Sequence, residues 1–331
     1  MSLAQTAREI TAQASARLRA VDPLLPPFEP GPAHCGANLV VTEPGRAAAG
    51  WCEHWTAGPG SLDPSWGAAR RFQLSAAVAG PDVTGGLSLL LDLWRGHLAN
   101  QPHTAEADTA AVVNWPSRDA GGIAPLLRHG LAPLEVLAVR TAPRPADPGS
   151  PVAVPSTRPN GPVLRPGGAY RIRRAGPSDL DVVARLGIEI IRFDAQWGTV
   201  NERPDTLTAL RDEVAGLLDG PEPWAWLAER DGEPAAMVAG QRPDTAAWVA
   251  PLVRAAPAAY LMLMYVNPAE RGSGVAGALA DEFHRAAGVA GAAVSLLHYE
   301  QLNPLSVPFW SRQGYRPLWT TWQVSPAGSL R

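Results

Sequence analysis

The stretch Tyr260–Ala280, YLMLMYVNPAERGSGVAGALA, decides how this chain folds. Its first seven residues are apolar or aromatic and too few for a helix, so they predict a buried strand over 260–266. Gly272 and Gly274 then leave little side chain around the amides that open the following helix. Those unpaired N–H groups and the positive end of the helix dipole favour a phosphate or pyrophosphate, and Arg271 adds a cationic fork beside them.

The order of elements continues downstream of this turn. The helix predicted over 274–288 leads into an apolar run at 292–297, which predicts a second strand. After residues 298–303 comes the segment 304–312 with an aromatic pair, and Gly314 follows as a turn. The predicted order is therefore strand, anion-binding turn, helix, strand, helix and glycine turn.

Two motifs in this order resemble those of the GNAT superfamily of N-acetyltransferases. In that family an Arg or Gln, two variable residues, a Gly, a variable residue and a Gly or Ala hold the pyrophosphate of acetyl-CoA. This chain has Arg271, Gly274 and Ala276 at those positions. The second motif is an Asn, a small residue and an aromatic pair ahead of a Gly and an aromatic residue. The matching residues are Asn303, Ser306, Phe309, Trp310, Gly314 and Tyr315.

The resemblance implies a binding site for acetyl-CoA as co-substrate, without a metal ion. A backbone amide at Tyr265 or Val266 would hold the thioester carbonyl, and Asn303 would contact the pantetheine arm, although an Asn there also suits a helix N-cap. The family commonly has a Tyr where this chain has Trp310, and that Tyr protonates the leaving thiolate. The implied cofactor-binding residues are Tyr265, Val266, Arg271, Gly272, Ser273, Gly274, Val275, Ala276, Asn303 and Trp310.

Candidates for the proton transfers lie on and beside the second strand. His298 and Glu300 alternate along it and therefore point to one face, with Tyr299 on the other. Either residue is a candidate base, and His298 is equally well interpreted as a structural histidine. Tyr265 and Tyr315 offer hydroxyl groups instead, although buried tyrosines commonly serve packing. The candidate catalytic residues are thus His298, Glu300 and Tyr265.

The N-terminal half repeats the pattern of the C-terminal half. A shift of 189 positions places Gly85 over Gly274, and a shift of 184 places the HGLAPL of 129–134 over the QGYRPL of 313–318. An internal repeat of this length predicts two copies of one fold.

The two copies differ in their chemistry. Asp82 stands at the position of Arg271, and an acid repels a pyrophosphate. Leu87 likewise replaces the small residue Ala276. We therefore predict that the first copy has lost tight acetyl-CoA binding and serves as a packing partner and a wall of the acceptor cleft.

These patterns predict an α/β (α+β) protein with two tandem GNAT-like domains, each a mixed, mostly antiparallel sheet flanked by helices. A degenerate domain at 1–140 and an acetyl-CoA-binding domain at 169–331 are joined by a Pro- and Gly-rich linker at 141–168. Apolar residues at helical spacing predict an amphipathic helix over 3–21 that packs on a domain. Residues 248–253 are predicted to be a lid or an extra strand.

Several tryptophans precede the nucleotide-binding half, where the family has its acceptor pocket. They support two interpretations, an aromatic acceptor cleft or core packing, because Trp buries a large area. They are Trp197, Trp224, Trp226 and Trp248.

Composition restricts the expected partners and location. The formal net charge is −3 and neither half is basic, so we expect no binding to nucleic acid or to an anionic membrane. No segment approaches the length of a membrane span, and the N-terminus has no apolar signal-peptide core. Cys35 and Cys52 do not make a disulfide framework. We expect a cytoplasmic monomer or homodimer.

The leading hypothesis is an acetyl-CoA-dependent N-acetyltransferase that moves an acetyl group to an amine, on a small molecule, by direct attack in the C-terminal domain. The alternative is a catalytically silent acyl-CoA-binding or scaffolding protein, which Trp310 favours. A third interpretation is a nucleotide-binding protein of another fold.

Overall fold

The computed structural model describes residues 3–29, 38–142, 162–165 and 168–331. Within these ranges the α-helices are α1 Leu3–Val21, α2 Val83–Leu98, α3 Ile123–Arg128, α4 Leu180–Asp194, α5 Thr206–Leu218, α6 Val275–Val289 and α7 Ser306–Arg312. The strands are β1 Asn38–Glu43, β2 Arg46–Thr56, β3 Arg70–Ala79, β4 Thr109–Pro116, β5 Ala132–Thr141, β6 Pro162–Arg165, β7 Gly168–Arg174, β8 Ala225–Arg230, β9 Glu233–Gln241, β10 Ala258–Val266, β11 Val294–Glu300 and β12 Arg316–Val324. Most of the predicted linker, and Cys35, lie outside the described residues.

These strands form one sheet, in the order β1-β2-β3-β4-β12-β5-β11-β10-β9-β8-β7-β6. Neighbouring strands are antiparallel except for β3 with β4 and β10 with β11, which are parallel. A parallel pair needs a crossover, and the helices α2 and α6 supply it in the two halves. The predicted α/β class with a mixed, mostly antiparallel sheet flanked by helices is confirmed. The division into domains at 140 and 169 stays a prediction.

The two halves have exchanged their last strands. The order β3, α2, β4, α3, β5 in the first half recurs as β10, α6, β11, α7, β12 in the second. β5, however, pairs with β11 of the second half, and β12 pairs with β4 of the first, while β5 and β12 pair with each other at the centre of the sheet. Side chains of the N-terminal half are therefore carried directly to the ends of the C-terminal strands.

Helices cover both faces of the sheet. On the C-terminal half, Phe283 of α6 packs with Trp224 and Trp226 on one face, and α4 and α5 bury a second core on the other. These two tryptophans thus follow the core-packing interpretation. α1 is the predicted amphipathic helix, and it packs its apolar side against β2 and β3 through small residues, Ala49 and Ala77 among them.

The segment predicted over 248–253 is neither a strand nor paired with the sheet. It forms a single 3₁₀ helix, Ala247–Leu252, so the extra-strand prediction is wrong. Pro251 lies inside this helix, and a proline has no N–H to donate to a strand ladder. Trp248 is 49% exposed, and its indole N–H donates to Gln241 Oε1 at 2.7 Å.

Candidate functional site

A gap opens in the sheet between β10 and β11. The two strands pair only over Ala258–Tyr260 and Val294–Leu296, although β10 continues to Val266 and β11 to Glu300. Beyond the paired residues, the facing edges of the two strands have backbone groups that no strand ladder satisfies. Most of the candidate site residues predicted from the sequence lie around this gap.

The turn after β10 presents open backbone amides. Gly272 and Gly274 have φ of 82° and 89°, in the left-handed region that glycine tolerates best. Within the described part of the chain, the amides of Gly272, Gly274 and Ala276 donate to no acceptor, and that of Val275 reaches only Ser273 Oγ, at 3.4 Å. A Cβ added at Gly272 would meet no atom within 4 Å. The start of α6 is therefore accessible to an anion.

The charges beside this turn leave one arginine free to bind. The Arg271 guanidinium lies 5.2 Å from the centre of the Phe193 ring, and no carboxylate of the described residues lies within 4 Å of it. The neighbouring acid, Glu270, would repel an anion, but it forms an ion pair with Arg230 at 2.8 Å and accepts a hydrogen bond from Tyr170. The turn thus keeps a positive potential.

The corresponding turn in the first half is occupied by the chain itself. Asp82 accepts the amide of Gly85 on Oδ1 at 2.8 Å and forms an ion pair with Arg46 at 2.6 Å. These contacts, the Gly85 amide first and Arg46 next, lower the pKa of Asp82. A carboxylate therefore takes the place at the start of α2 that remains open at the start of α6.

The open turn faces a groove of about 290 Å³ between α4, β10, α6 and α7. Nine of the ten residues implied to bind the cofactor line it, and the exception is Ser273. They are Tyr265, Val266, Arg271, Gly272, Gly274, Val275, Ala276, Asn303 and Trp310. Their roles toward a ligand stay predictions. The residues that the sequence motifs selected nevertheless share one surface of the folded protein.

Asn303 lies buried at the floor of the groove, with both ends of its amide in use. Its Oδ1 accepts the backbone amides of Leu305 and Ser306 at 2.9 and 3.2 Å, so it organises the start of α7. Its Nδ2 donates to Asp194 Oδ1 at 2.8 Å. Burial raises the pKa of Asp194 to about 6. The hydrogen bond from Asn303 acts in the opposite direction and lowers this pKa, but its effect is the smaller of the two.

A second cavity, of about 460 Å³, adjoins the groove. Asp194, Met264 and Trp310 line both spaces. The N-terminal half contributes a wall to this cavity through Asp63, Trp66, Arg71 and Glu135. His298 and Glu300 line the cavity, whereas Tyr265 lines the groove, so the candidate catalytic residues are divided between two adjoining spaces.

Glu300 is the most constrained acid of the cavity. It is 3% exposed, its Oε1 accepts from the Thr199 hydroxyl at 2.9 Å, and its Oε2 has no hydrogen-bond partner among the described residues. Burial is the main cause that raises the pKa of Glu300 to about 8, and the nearby charge of Glu135 adds to it. A Cβ at Gly198 would lie 2.0 Å from Oε2, so a larger residue there would require the Glu300 carboxyl group to shift.

His298 is held by aromatic neighbours. Its Nδ1 shares a hydrogen bond of 2.8 Å with the Tyr260 hydroxyl, and its ring is parallel to that of Trp248 within 10°. This environment is compatible with the structural interpretation of His298 as well as the catalytic one. Tyr315, the other hydroxyl considered, is buried in the core and bonds His284 Nε2 at 3.0 Å, away from both spaces.

Several residues of the site were missed by the sequence interpretation. Asp194 ends α4 and Glu135 is the fourth residue of β5, and neither lies in a motif. Glu135 reaches the cavity only because β5 is exchanged into the second half, which the chain's periodicity does not indicate. Arg71 is the second residue of β3 and lies in no motif either.

Comparison with known proteins gives the class of this fold. The model of the acetyltransferase (GNAT) family matches residues 190–315. A solved GCN5-related N-acetyltransferase from Sphaerobacter thermophilus has the same fold over 99% of this chain and 94% of its own, with 15% identity and a TM-score of 0.54. Another from Kribbella flavida, 14% identical over 97% of this chain and 95% of its own, gives a TM-score of 0.41. No curated protein matches the chain in sequence.

The matched segment spans the open turn at the start of α6 and the second motif, and GNAT proteins use acetyl-CoA. The family match supports acetyl transfer in general. Among the described residues, no group of three His, Cys, Asp or Glu side chains is placed to hold a metal ion. None of the helices there combines the length and the apolar character that crossing a membrane requires.

Proposed function

We propose that this protein is an N-acetyltransferase that moves an acetyl group from acetyl-CoA to an amine of a small molecule, and that the reaction takes place in the C-terminal half. The observation that carries the proposal is the continuity of two spaces. The groove with open amides at its turn meets, along Asp194, Met264 and Trp310, a cavity that holds a buried carboxylate, Glu300.

The groove fits acetyl-CoA through residues already described. The free amides of Gly272, Gly274 and Ala276, with Arg271, would hold the pyrophosphate, because they combine unpaired donors with positive charge. The apolar side chains of Val266, Phe309 and Trp310 would line the pantetheine arm. The first half, whose equivalent turn is filled by Asp82, would be a degenerate copy that no longer binds the cofactor.

Glu300 is the residue we assign as base. Transfer requires the amine nitrogen to form a bond to the acetyl carbon while the carbon–sulfur bond breaks, with one proton leaving the nitrogen and one reaching the sulfur of CoA. An ammonium must lose a further proton before it can attack. A carboxylate whose pKa is raised to about 8 is well matched to accept a proton from an amine near neutral pH.

The remaining roles fall to groups at the gap between the strands. The backbone amide of Tyr265 or Val266 would stabilise the charge that develops on the carbonyl oxygen. Trp310 has no acidic hydroxyl, so Tyr265, which lines the groove, is the candidate donor to the sulfur. A thiolate is also a tolerable leaving group without an acid, because the conjugate thiol has a pKa near 8.5.

Thiol release with acetyl-CoA and a panel of small amines tests this function, beside calorimetry of acetyl-CoA binding. The proposal expects both binding and turnover. Tight binding with no turnover on any amine would favour the silent acyl-CoA-binding protein, for which Trp310 is the supporting observation. Binding of ATP or NAD that acetyl-CoA does not displace would favour a nucleotide-binding protein instead.

A further inference from the structure

The cavity beside the groove is strongly acidic. Five carboxylate side chains line it, from both halves of the chain: Asp63, Glu135, Asp194, Glu213 and Glu300. Among the described lining residues the one arginine or lysine is Arg71, and its guanidinium is already engaged. It donates to the carbonyls of Ala68 and Asp63 at 3.2 and 3.1 Å and stacks on Trp55 at 4.8 Å.

Two of these acids directly oppose each other. Glu135 of β5 and Glu300 of β11 are partners in the antiparallel register, so their side chains emerge on the same face of the sheet. Opposed residues in such a pair have Cβ atoms about 4.5–5.5 Å apart, a distance at which like charges destabilise the sheet. An arrangement of this kind is unfavourable for the empty protein and becomes favourable when each carboxylate pairs with a cationic group of its own.

Neither acid forms an ion pair with an arginine in the described part of the chain, although the charge of Arg71 attracts Glu135 across the cavity. The Glu300 side chain is only 3% exposed to solvent, and its Oε2 lacks any hydrogen-bond partner in the described part of the chain. Glu135 is half-buried, and no described residue forms an ion pair or hydrogen bond with its carboxylate. An unpaired buried acceptor is expensive, and an ammonium group would supply the missing donors.

We propose that the acceptor is a diamine-type cation, whose reacting nitrogen lies at Glu300 and whose second ammonium is held by Glu135. This inference rests on the proposed function, since it assigns the substrate class of the same site. The N-terminal half would then act in substrate selection, because the exchanged strand β5 carries Glu135 to the cavity. A monoamine would leave Glu135 unpaired beside a second carboxylate, and an anionic acceptor would be repelled by both.

A matched series of substrates tests the proposal. Thiol release would be measured for α,ω-diaminoalkanes of three to eight carbons and for the n-alkylamines of the same lengths. The diamines should have kcat/KM values higher by about tenfold or more, as one added charge-assisted contact of roughly 1.4 kcal/mol implies. The preference should be greatest over a narrow range of chain length, since both carboxylates are fixed on strands.

The variant Glu135→Gln should bring the ratio of diamine to monoamine kcat/KM down toward one. Glu233→Gln, an exposed acid at the start of β9 that lines neither space, is the matched control and should preserve the ratio. Calorimetry of 1,4-diaminobutane against n-butylamine on the unmodified protein gives a readout that depends neither on turnover nor on the folding of a variant. At millimolar concentration, heat of binding should be detected for 1,4-diaminobutane and not for n-butylamine.

The outcomes separate the inference from the function on which it rests. Equal rates and equal binding for the two series would overturn the diamine assignment and leave the acetyltransferase proposal standing. The absence of acetylation of every amine in the panel would overturn both.

Discussion

Asn303 and Asp194 are joined by a hydrogen bond of 2.8 Å at the place where the groove and the acidic cavity meet. The bond links the end of α4 to the start of α7, the two helices that flank the groove. Both residues also have a second function, because Asn303 organises α7 and Asp194 lines both spaces. The shape of the groove therefore depends on a buried polar contact as well as on apolar packing.

Replacing Asn303 tests this connection. Asn303→Ala removes acceptors from two backbone amides and leaves Asp194 without its donor, so the free energy of unfolding should fall by about 1–3 kcal/mol. Acetyl-CoA affinity should fall as well, because the wall of the groove loosens. Leu302→Ala, at a neighbouring residue that is 58% exposed, is the control and should change stability by less than about 0.5 kcal/mol. Urea unfolding of both variants is the measurement, and equal stabilities would contradict the structural role.

Glu300→Gln should lower kcat by about 10²–10⁴-fold if Glu300 is the base. The wild-type kcat/KM should rise with pH up to about 8, where the buried carboxyl ionises, and the variant should lose this dependence. A pH–rate profile of the two proteins decides the matter. A variant with nearly normal kcat would remove Glu300 from the chemistry.

The same substitution should change how stability depends on pH. The pKa of Glu300 is raised by burial from an ordinary 4.5 to about 8, so the folded protein holds a proton that the unfolded chain releases. The free energy of unfolding of the wild type should accordingly decrease as pH rises from 4.5 to 8, by a few kcal/mol at most. Glu300→Gln lacks this decrease and should be the more stable protein above pH 8, whereas Glu233→Gln should follow the wild type. Urea unfolding at pH 5 and pH 9 measures this difference. If the free energy of unfolding changed by the same amount between the two pH values in all three proteins, Glu300 would not be a buried acid with a raised pKa.

The role of His298 can be separated from that of Glu300. If His298 is a structural residue held by Tyr260, then His298→Gln and Tyr260→Phe should each lower kcat by no more than about tenfold. The pH–rate profile should keep the inflection that we assign to Glu300. A loss of several hundredfold for His298→Gln, with that inflection gone, would make His298 the base instead.

The parts of the site that are local in sequence could be predicted from it. An apolar strand, Gly272 and Gly274 at φ angles that glycine favours, and the first residues of α6 lie within one short stretch. The chemistry of such a turn depends on residues that follow each other in the chain, and nine of the ten implied residues do line one groove. The prediction that Asp82 disfavours an anion at the equivalent turn of the first half also depends on local sequence, and Asp82 does accept the Gly85 amide there.

The parts that depend on the choice of strand partner could not be predicted. The apolar patterns of β5 and β12 indicate strands and their buried faces, but they fit either neighbour equally well. The exchange of these strands decides that Glu135 faces Glu300, and it makes one sheet of the two halves. The place of Asp194 in the site could not be predicted for a similar reason, because its partner Asn303 is close to it only in the folded chain.

The most direct test of the central claim is calorimetry of acetyl-CoA binding to two charge variants. Arg271→Glu places an acid beside the open amides of the second half and should weaken binding by about a hundredfold or more, because it replaces an attraction with a repulsion. Asp82→Ala alters the equivalent turn of the first half and should leave the affinity unchanged. Equal effects of the two substitutions, or none from Arg271→Glu, would contradict the proposal that the start of α6 holds the pyrophosphate.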